Sequence, residues 1–243
     1  MWFYILILLA TVCTLFSQEL PDYLKDKKCS LSNDLKSCFI KNGNLAIPLI
    51  ANGDAKYHIP PLNPMTISSI QLITTPNLQL NLTDIKIFGL DKMIITDIRF
   101  DWDKNLFTIT LTGSNVTIEG LYTADGHVMV MPVKGRGKFS IVLKNGEYKV
   151  TSTTEIIEKN GVKYHRPTSC RLTYKFGGID FNFENLFAGN DELSREINKF
   201  LNENWDLLLN DFGPGIADTI SSIIRNIFEK FSDQVPIKNF FLE

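Results

Sequence analysis

The clearest pattern in the chain is an alternation of apolar and polar positions that begins at Leu78. Leu78, Leu80 and Leu82 are separated by Gln79 and Asn81, and Phe107, Ile109 and Leu111 by Thr108 and Thr110. A period of two belongs to half-buried strands, whose successive side chains point to opposite faces. Between Leu82 and Ile85 two polar residues, Thr83 and Asp84, stand where alternation allows one, so a bulge that bends the strand is expected there. The runs Val128-Met129-Val130-Met131 and Phe139-Ser140-Ile141-Val142-Leu143 have few polar members, which predicts apolar cover on both faces. Asn145-Gly146 and Asn160-Gly161 lie between strand-like runs and predict two tight hairpins in an antiparallel sheet. Leu172, Tyr174 and Phe176 form a further strand. After Gly177-Gly178 the alternation resumes on the other parity with Ile179, Phe181 and Phe183, so a sharp bend is expected at the glycines.

At Asn190 the period becomes helical. Asn190 suits an N-cap, Asp191 and Glu192 suit the positive end of the helix dipole, and Leu193, Ile197, Phe200, Leu201, Trp205 and Leu208 share one face. Gly213-Pro214-Gly215 is expected to interrupt this helix. A second amphipathic stretch follows with Ile216, Ile220, Ile223, Ile224, Ile227 and Phe231, so the end of the chain is either one long bent helix or a helical hairpin. Near the start, Leu35 to Ile50 predicts a short helix broken by Gly43 and Pro48. The segment Ile59-Pro60-Pro61-Leu62-Asn63-Pro64 should be extended and lead into the strands.

The first sixteen residues form one uncharged apolar run that ends abruptly at Ser17-Gln18-Glu19, the pattern of a signal peptide over residues 1–17. What remains, residues 18–243, contains no Pro/Ser-rich or charged linker and reads as a single secreted domain. A net charge of -2 without Lys/Arg clusters argues against nucleic acid and against anionic membrane surfaces. No later segment is apolar enough for stable membrane insertion. Removing the leader takes Cys13 with it and leaves Cys29, Cys38 and Cys170. Cys29 and Cys38 flank a short polar stretch and read as a disulfide staple contributing about 2 to 3 kcal/mol. Cys170 is then a buried free thiol or an intermolecular cross-link.

Catalytic chemistry finds little support. There is no G-x-S-x-G, His58, His127 and His165 are widely scattered, and no zinc spacing of the H-E-x-x-H or Cys-x-x-Cys kind occurs. Gly135-Arg136-Gly137 fits a turn better than a dinucleotide fingerprint. Asp101, Asp103 and Asn105 imitate a calcium loop but lack its glycine and bidentate glutamate, so a polar hairpin tip is expected. The reading therefore contains no catalytic residue, no metal site and no cofactor. Asn81-Leu82-Thr83 and Asn115-Val116-Thr117 are acceptors for N-glycosylation if exposed.

The early cysteine pair, Ile59-Pro60-Pro61-Leu62-Asn63-Pro64, Gly120-Leu121-Tyr122 and Met131 to Phe139 together resemble the takeout and juvenile-hormone-binding family. The most specific match is Glu184-Asn185-Leu186-Phe187-Ala188-Gly189 with Asn198-Lys199-Phe200-Leu201-Asn202-Glu203-Asn204-Trp205. The resemblance covers Leu20 to Leu242. It implies an α+β, elongated tubular fold, similar to half of a bactericidal permeability-increasing protein, with a long C-terminal helix wrapped in a highly curved antiparallel sheet. It also implies an insect carrier of a small hydrophobic ligand, terpenoid or fatty-acid-like, in hemolymph or sensory fluid, affecting feeding, development, behaviour or circadian rhythm. The downstream receptor or acceptor is left unidentified. Tyr122 and Tyr148 are candidate polar handles, with Trp102, Phe139, Phe176 and Phe181 as candidate walls. Asn185, Asn198, Asn202 and Asn204 are expected to make structural hydrogen bonds. The competing readings are a protein recognising lipid surfaces or microbial lipid, and a secreted hydrolase, which the scattered histidines disfavour.

Overall fold

The computed structural model describes residues 19–31, 34–74, 78–128, 130–187 and 189–242, so the expected leader lies outside the described residues. Seven strands among the described residues make one antiparallel sheet: β1 (Met65–Thr74), β2 (Leu78–Phe88), β3 (Ile94–Asp101), β4 (Leu106–Val128), β5 (Met131–Lys159), β6 (Val162–Lys175) and β7 (Gly178–Phe183). The long pair β4 and β5 is the spine. β2 and β3 share one side of β4, and β6 and β7 share the other side of β5. The helices are α1 (Asp22–Lys25), α2 (Leu35–Ile50), α3 (Asp191–Glu203) and α4 (Trp205–Ser232). No helix among the described residues is long and apolar enough to cross a membrane.

The strand periodicity holds. In β2, Leu78, Leu82, Ile85 and Ile87 are buried, and the register with β4 shifts between Thr83 and Lys86, with Asp84 left-handed at φ 51°. Asn160-Gly161 makes the expected two-residue turn between β5 and β6, both residues at positive φ. The 102–105 segment turns β3 into β4, as its polar composition suggests.

Several local expectations are corrected. Asn145-Gly146 is not a hairpin, because β5 runs straight through it. Asn145 takes a left-handed conformation (φ 49°) within the strand, at the place where Gly177 on the neighbouring edge donates its N–H to the Lys144 carbonyl. The bend expected at Gly177-Gly178 is present, between β6 and β7, which follow one another along β5. Gly135-Arg136-Gly137 is strand, not turn. The 184–187 segment crosses so closely that a Cβ at Gly135 would collide with the Asn185 carbonyl. Val130 is 80% exposed at the tip between β4 and β5, so the 128–131 run is not covered on both faces. α2 is unbroken: Gly43 lets it approach Ile95 of β3, and Pro48 falls in its last turn.

The late helix breaks at Asn204, not at Gly213-Pro214-Gly215. α4 passes through that triplet for 28 residues. Proline removes the hydrogen bond to the carbonyl four residues back, here that of Asn210, on the exposed side of α4 where water can replace it. α3 starts as expected, with the Asn190 side chain accepting from the Leu193 N–H.

The helices cover the open sheet edges, which would otherwise present unpaired backbone groups. On the β7 edge, Asn202 both accepts from the Phe181 N–H (2.7 Å) and donates to the Phe181 carbonyl (2.8 Å). Asn44 of α2 does the same for Ile95 on β3, and Ser221 of α4 accepts from the Leu172 N–H on β6. α4 also reaches β1, where Gly215 lies against Leu72. The sheet thus curls around α4, and its two edges meet on the same helix.

Candidate ligand-binding interior

Among the described residues two packed clusters hold the fold together. One gathers Leu82, Tyr122, Phe139, Phe183, Ile197, Leu201 and Leu208 between α3, the start of α4 and the β1–β2 side of the sheet. The other joins Leu20, Tyr57 and Val235 with Phe231 and Phe240 beyond the end of α4. Between them the sheet continues to face α4. Cross-strand partners share a face, so Ile98, Ile109, Val150 and Leu172 lie in one row, and Leu111, Tyr148 and Tyr174 in another. This face looks toward α4: the Phe107 ring meets Phe228 edge-on at 5.4 Å, and the Tyr174 hydroxyl lies against Gly213.

The residues that α4 sets most deeply here are small, Gly213, Ala217 and Ser221, spaced one turn apart. Its large side chains, such as Ile216, Ile220 and Phe228, are only half-buried, as are Phe107, Ile109, Leu111, Tyr148, Val150 and Leu172 opposite. An apolar concave face with incomplete cover and few polar groups has the form of a small-molecule site.

The polar groups of this region are sparse. The Tyr148 hydroxyl is buried and makes no hydrogen bond among the described residues, and burial pushes its pKa up to about 12. Ser152 donates to the Ser169 carbonyl. Cys170 is unpaired and half-buried; burial raises its thiol pKa, against the pull of the Arg225 charge. The His165 imidazole is held below its usual range by burial, with Nδ1 lacking a partner. No cluster of three or more His, Cys, Asp or Glu side chains suited to a metal occurs among the described residues. Two open grooves, of about 450 and 480 Å³, are lined by charges of both signs, Asp84, Lys86, Glu119 and Lys138 in one, Asp125, Lys134 and Arg136 in the other.

The sequence candidates fall into three places. Tyr122, Phe139 and Phe181 converge on Phe183 in the first cluster, at ring distances of 5.0, 5.7 and 6.4 Å. The Tyr122 hydroxyl donates to the Glu184 carbonyl at 2.6 Å, so its single donor is already used. Tyr148 and Phe176 meet at 5.6 Å beside Tyr174, on the half-covered face. Trp102 stands apart at the β3–β4 tip, 56% exposed and stacked on Phe100. Asn81 and Asn115 are exposed, but on β2 and β4 and not in turns. Cys29 and Cys38 form the expected disulfide. Sequence reasoning misses Leu111, Val150 and Tyr174 as members of this face. The signal that could have found them is parity: Val150 follows Tyr148 by two residues, and Leu111 and Tyr174 flank Tyr148 across the sheet.

Comparison with known proteins agrees with this architecture. The family described as haemolymph juvenile hormone binding protein (JHBP) matches residues 5–242. The circadian clock-controlled protein daywake of Drosophila yakuba is 23% identical over 236 residues, which cover 93% of this chain and 89% of that protein. A putative beta-carotene-binding protein of Schistocerca gregaria is 30% identical over 143 residues, 58% of this chain and 57% of its own length. The crystal structure of Epiphyas postvittana Takeout 1 superposes with a TM-score of 0.82 at 24% identity, covering 89% of this chain and all of that one, a likeness of fold. The chain belongs to the haemolymph juvenile hormone binding protein family.

Proposed function

We propose that this protein is a secreted, extracellular carrier of a small hydrophobic molecule, a juvenile hormone-like terpenoid or a fatty-acid-like lipid, held between α4 and the face of the sheet that carries Tyr148. The observation that carries the reading is the incomplete cover of that face. Phe107, Ile109, Leu111, Val150 and Leu172 are apolar and turned toward the helix, yet none is closed off, while clusters on either side are tightly packed. Filling that space with an isoprenoid or acyl chain gains about 0.8 kcal/mol per buried methylene, so affinity needs few polar contacts. The unpartnered Tyr148 hydroxyl is suited to donate to a single acceptor on the ligand. Membership of a family described by hormone binding supports the same reading. Feeding, development or behaviour is the physiology it would serve, and the exposed Asn81 and Asn115 are the proposed glycan acceptors.

The test is mass spectrometry of small molecules extracted from the natively purified protein, followed by competition of juvenile hormone and of a fatty acid against a fluorescent apolar probe on the delipidated sample. A stoichiometric apolar ligand or saturable competition is the expected result. A protein that yields no ligand and takes up neither probe nor competitor would overturn the carrier reading.

A further inference from the structure

Large apolar side chains stand exposed on the β3–β4 tip and on two segments that contacts join to it. Trp102 is 56% exposed, Leu242 near the C-terminus 53%, and Leu31 beside the disulfide 62%. Ring contacts join these segments. Trp102 stacks on Phe100 at 5.1 Å, Phe100 meets Phe39 of α2 at 5.3 Å, and Phe39 meets Phe241 at 6.3 Å. The backbone completes the connection, since the Leu242 N–H donates to the Cys29 carbonyl and Cys29 is bonded to Cys38 at the start of α2. The same rings lead inward: Phe100 faces Phe107 across β3 and β4, and Phe107 meets Phe228 of α4.

With the exposed Asp103 of the tip counted, the charges here cancel, Lys36, Arg99 and Lys104 against Asp97, Asp101 and Asp103. Asp97 pairs with Lys36 and Arg99, and Asp101 with Lys104. A basic cluster, which an anionic membrane would select, is missing from these pairs. An exposed tryptophan backed by other rings suits the boundary between lipid headgroups and hydrocarbon, where its apolar body and N–H are both satisfied.

We infer that this tip docks on an electrically neutral lipid surface, and that the aromatic path behind it is the route by which apolar cargo passes between that surface and the interior. The docking stands on the tip alone, whereas the route rests on the carrier reading. The contact is made by side chains of a strand tip and is peripheral and reversible.

The experiment is flotation of the purified protein with phosphatidylcholine vesicles, with quenching of its tryptophan fluorescence by brominated lipid. Transfer of an anthroyloxy fatty acid from the same vesicles is measured alongside its equilibrium affinity in vesicle-free buffer. Trp102→Ala is expected to weaken vesicle partitioning roughly ten- to a hundredfold, the range for losing burial of one large aromatic side chain. It should slow transfer in proportion and leave the vesicle-free affinity unchanged. Leu242→Asp, at an exposed position, should act in the same direction. Failure of the wild-type protein to float, or equal flotation of both variants, overturns the docking while the carrier reading stands on its own affinity measurement. Flotation without any uptake of the fatty acid would keep the docking and overturn the route together with the carrier reading.

Discussion

Asn198 is bonded to Phe183 as a neighbouring strand would be: its side-chain oxygen accepts from the Phe183 N–H at 2.8 Å and its amide donates to the Phe183 carbonyl at 2.8 Å. Asn202 repeats this with Phe181 one helical turn later. The two repeats match because four helical residues advance about 6 Å, close to the roughly 6.8 Å of two strand residues. Ser194, one turn earlier, accepts from the Phe187 N–H and extends the series. The edge of β7 is thereby closed to other chains by side chains of α3.

Replacing Asn198 or Asn202 by Ala leaves an N–H and a carbonyl of the β7 edge without their partners. Each variant should lose about 1 to 3 kcal/mol of stability in urea denaturation. Asn198→Asp keeps the acceptor but loses the donor, so it should fall between wild type and Ala. Stability equal to wild type in all three would show that the helix does not hold this edge.

Gly213 and Tyr174 should be coupled. A Cβ at position 213 would collide with the Tyr174 hydroxyl. Gly213→Ala is therefore expected to cost about 1 to 3 kcal/mol through overpacking. Tyr174→Phe removes the colliding atom and should recover part of that loss, visible as non-additivity in a double-mutant cycle of thermal unfolding.

Tyr122 and Tyr148 should respond oppositely to loss of the hydroxyl. Tyr122→Phe deletes a hydrogen bond to the Glu184 carbonyl and should cost about 1 kcal/mol. Tyr148→Phe deletes an unpartnered hydroxyl and should leave the empty protein as stable as before or up to about 1 kcal/mol more so, while weakening any ligand that carries an acceptor. Equal losses in urea denaturation would contradict the assignment.

Alkaline pH tests the same pair. Burial pushes both hydroxyls up to about 12, whereas a tyrosine in the unfolded chain ionises near about 10. The native state thus favours the neutral phenols. Their contribution to stability is complete below about pH 10 and is lost as pH rises from there toward 12. Near-ultraviolet absorbance, compared with that of the Tyr122→Phe and Tyr148→Phe variants, should show these two groups ionising above about pH 10 and together with the loss of circular dichroism; their ionisation near pH 10 in the folded state would refute it.

The Cys29–Cys38 bridge ties the segment before α2 to the first turn of that helix, and Cys29 also pairs with Phe241 near the C-terminus. Replacing both cysteines by Ser should lower the denaturation midpoint by the equivalent of about 2 to 3 kcal/mol. Reduction of the wild-type protein should produce a similar shift, and no shift in either would mean the bridge is not a structural tie.

Residue order alone specifies the strands whose burial alternates, the bulge at Asp84, the turn at Asn160-Gly161, the N-cap at Asn190 and the disulfide. These depend on local preferences or on one face against another, and the order of residues records both. Packing in three dimensions set the rest. Asn-Gly supplies positive φ either for a turn or for a bend inside a strand, and at Asn145 the choice fell to the bend because β4 pairs with β5 on both sides of it, from Met131 to Thr153. Pro214 is tolerated because its missing bond falls on the solvent side of α4. The amide pairings of Asn44, Asn198 and Asn202 exist only once a helix lies along a free edge. Above all, Leu111, Tyr148 and Val150 alternate just as Leu78, Leu82 and Ile85 do, yet the latter are sealed and the former half-covered. Apolar patterning records which way a side chain points; the room left in front of it depends on the distance between α4 and a sheet face remote from it in the chain, a distance that the folded molecule alone sets.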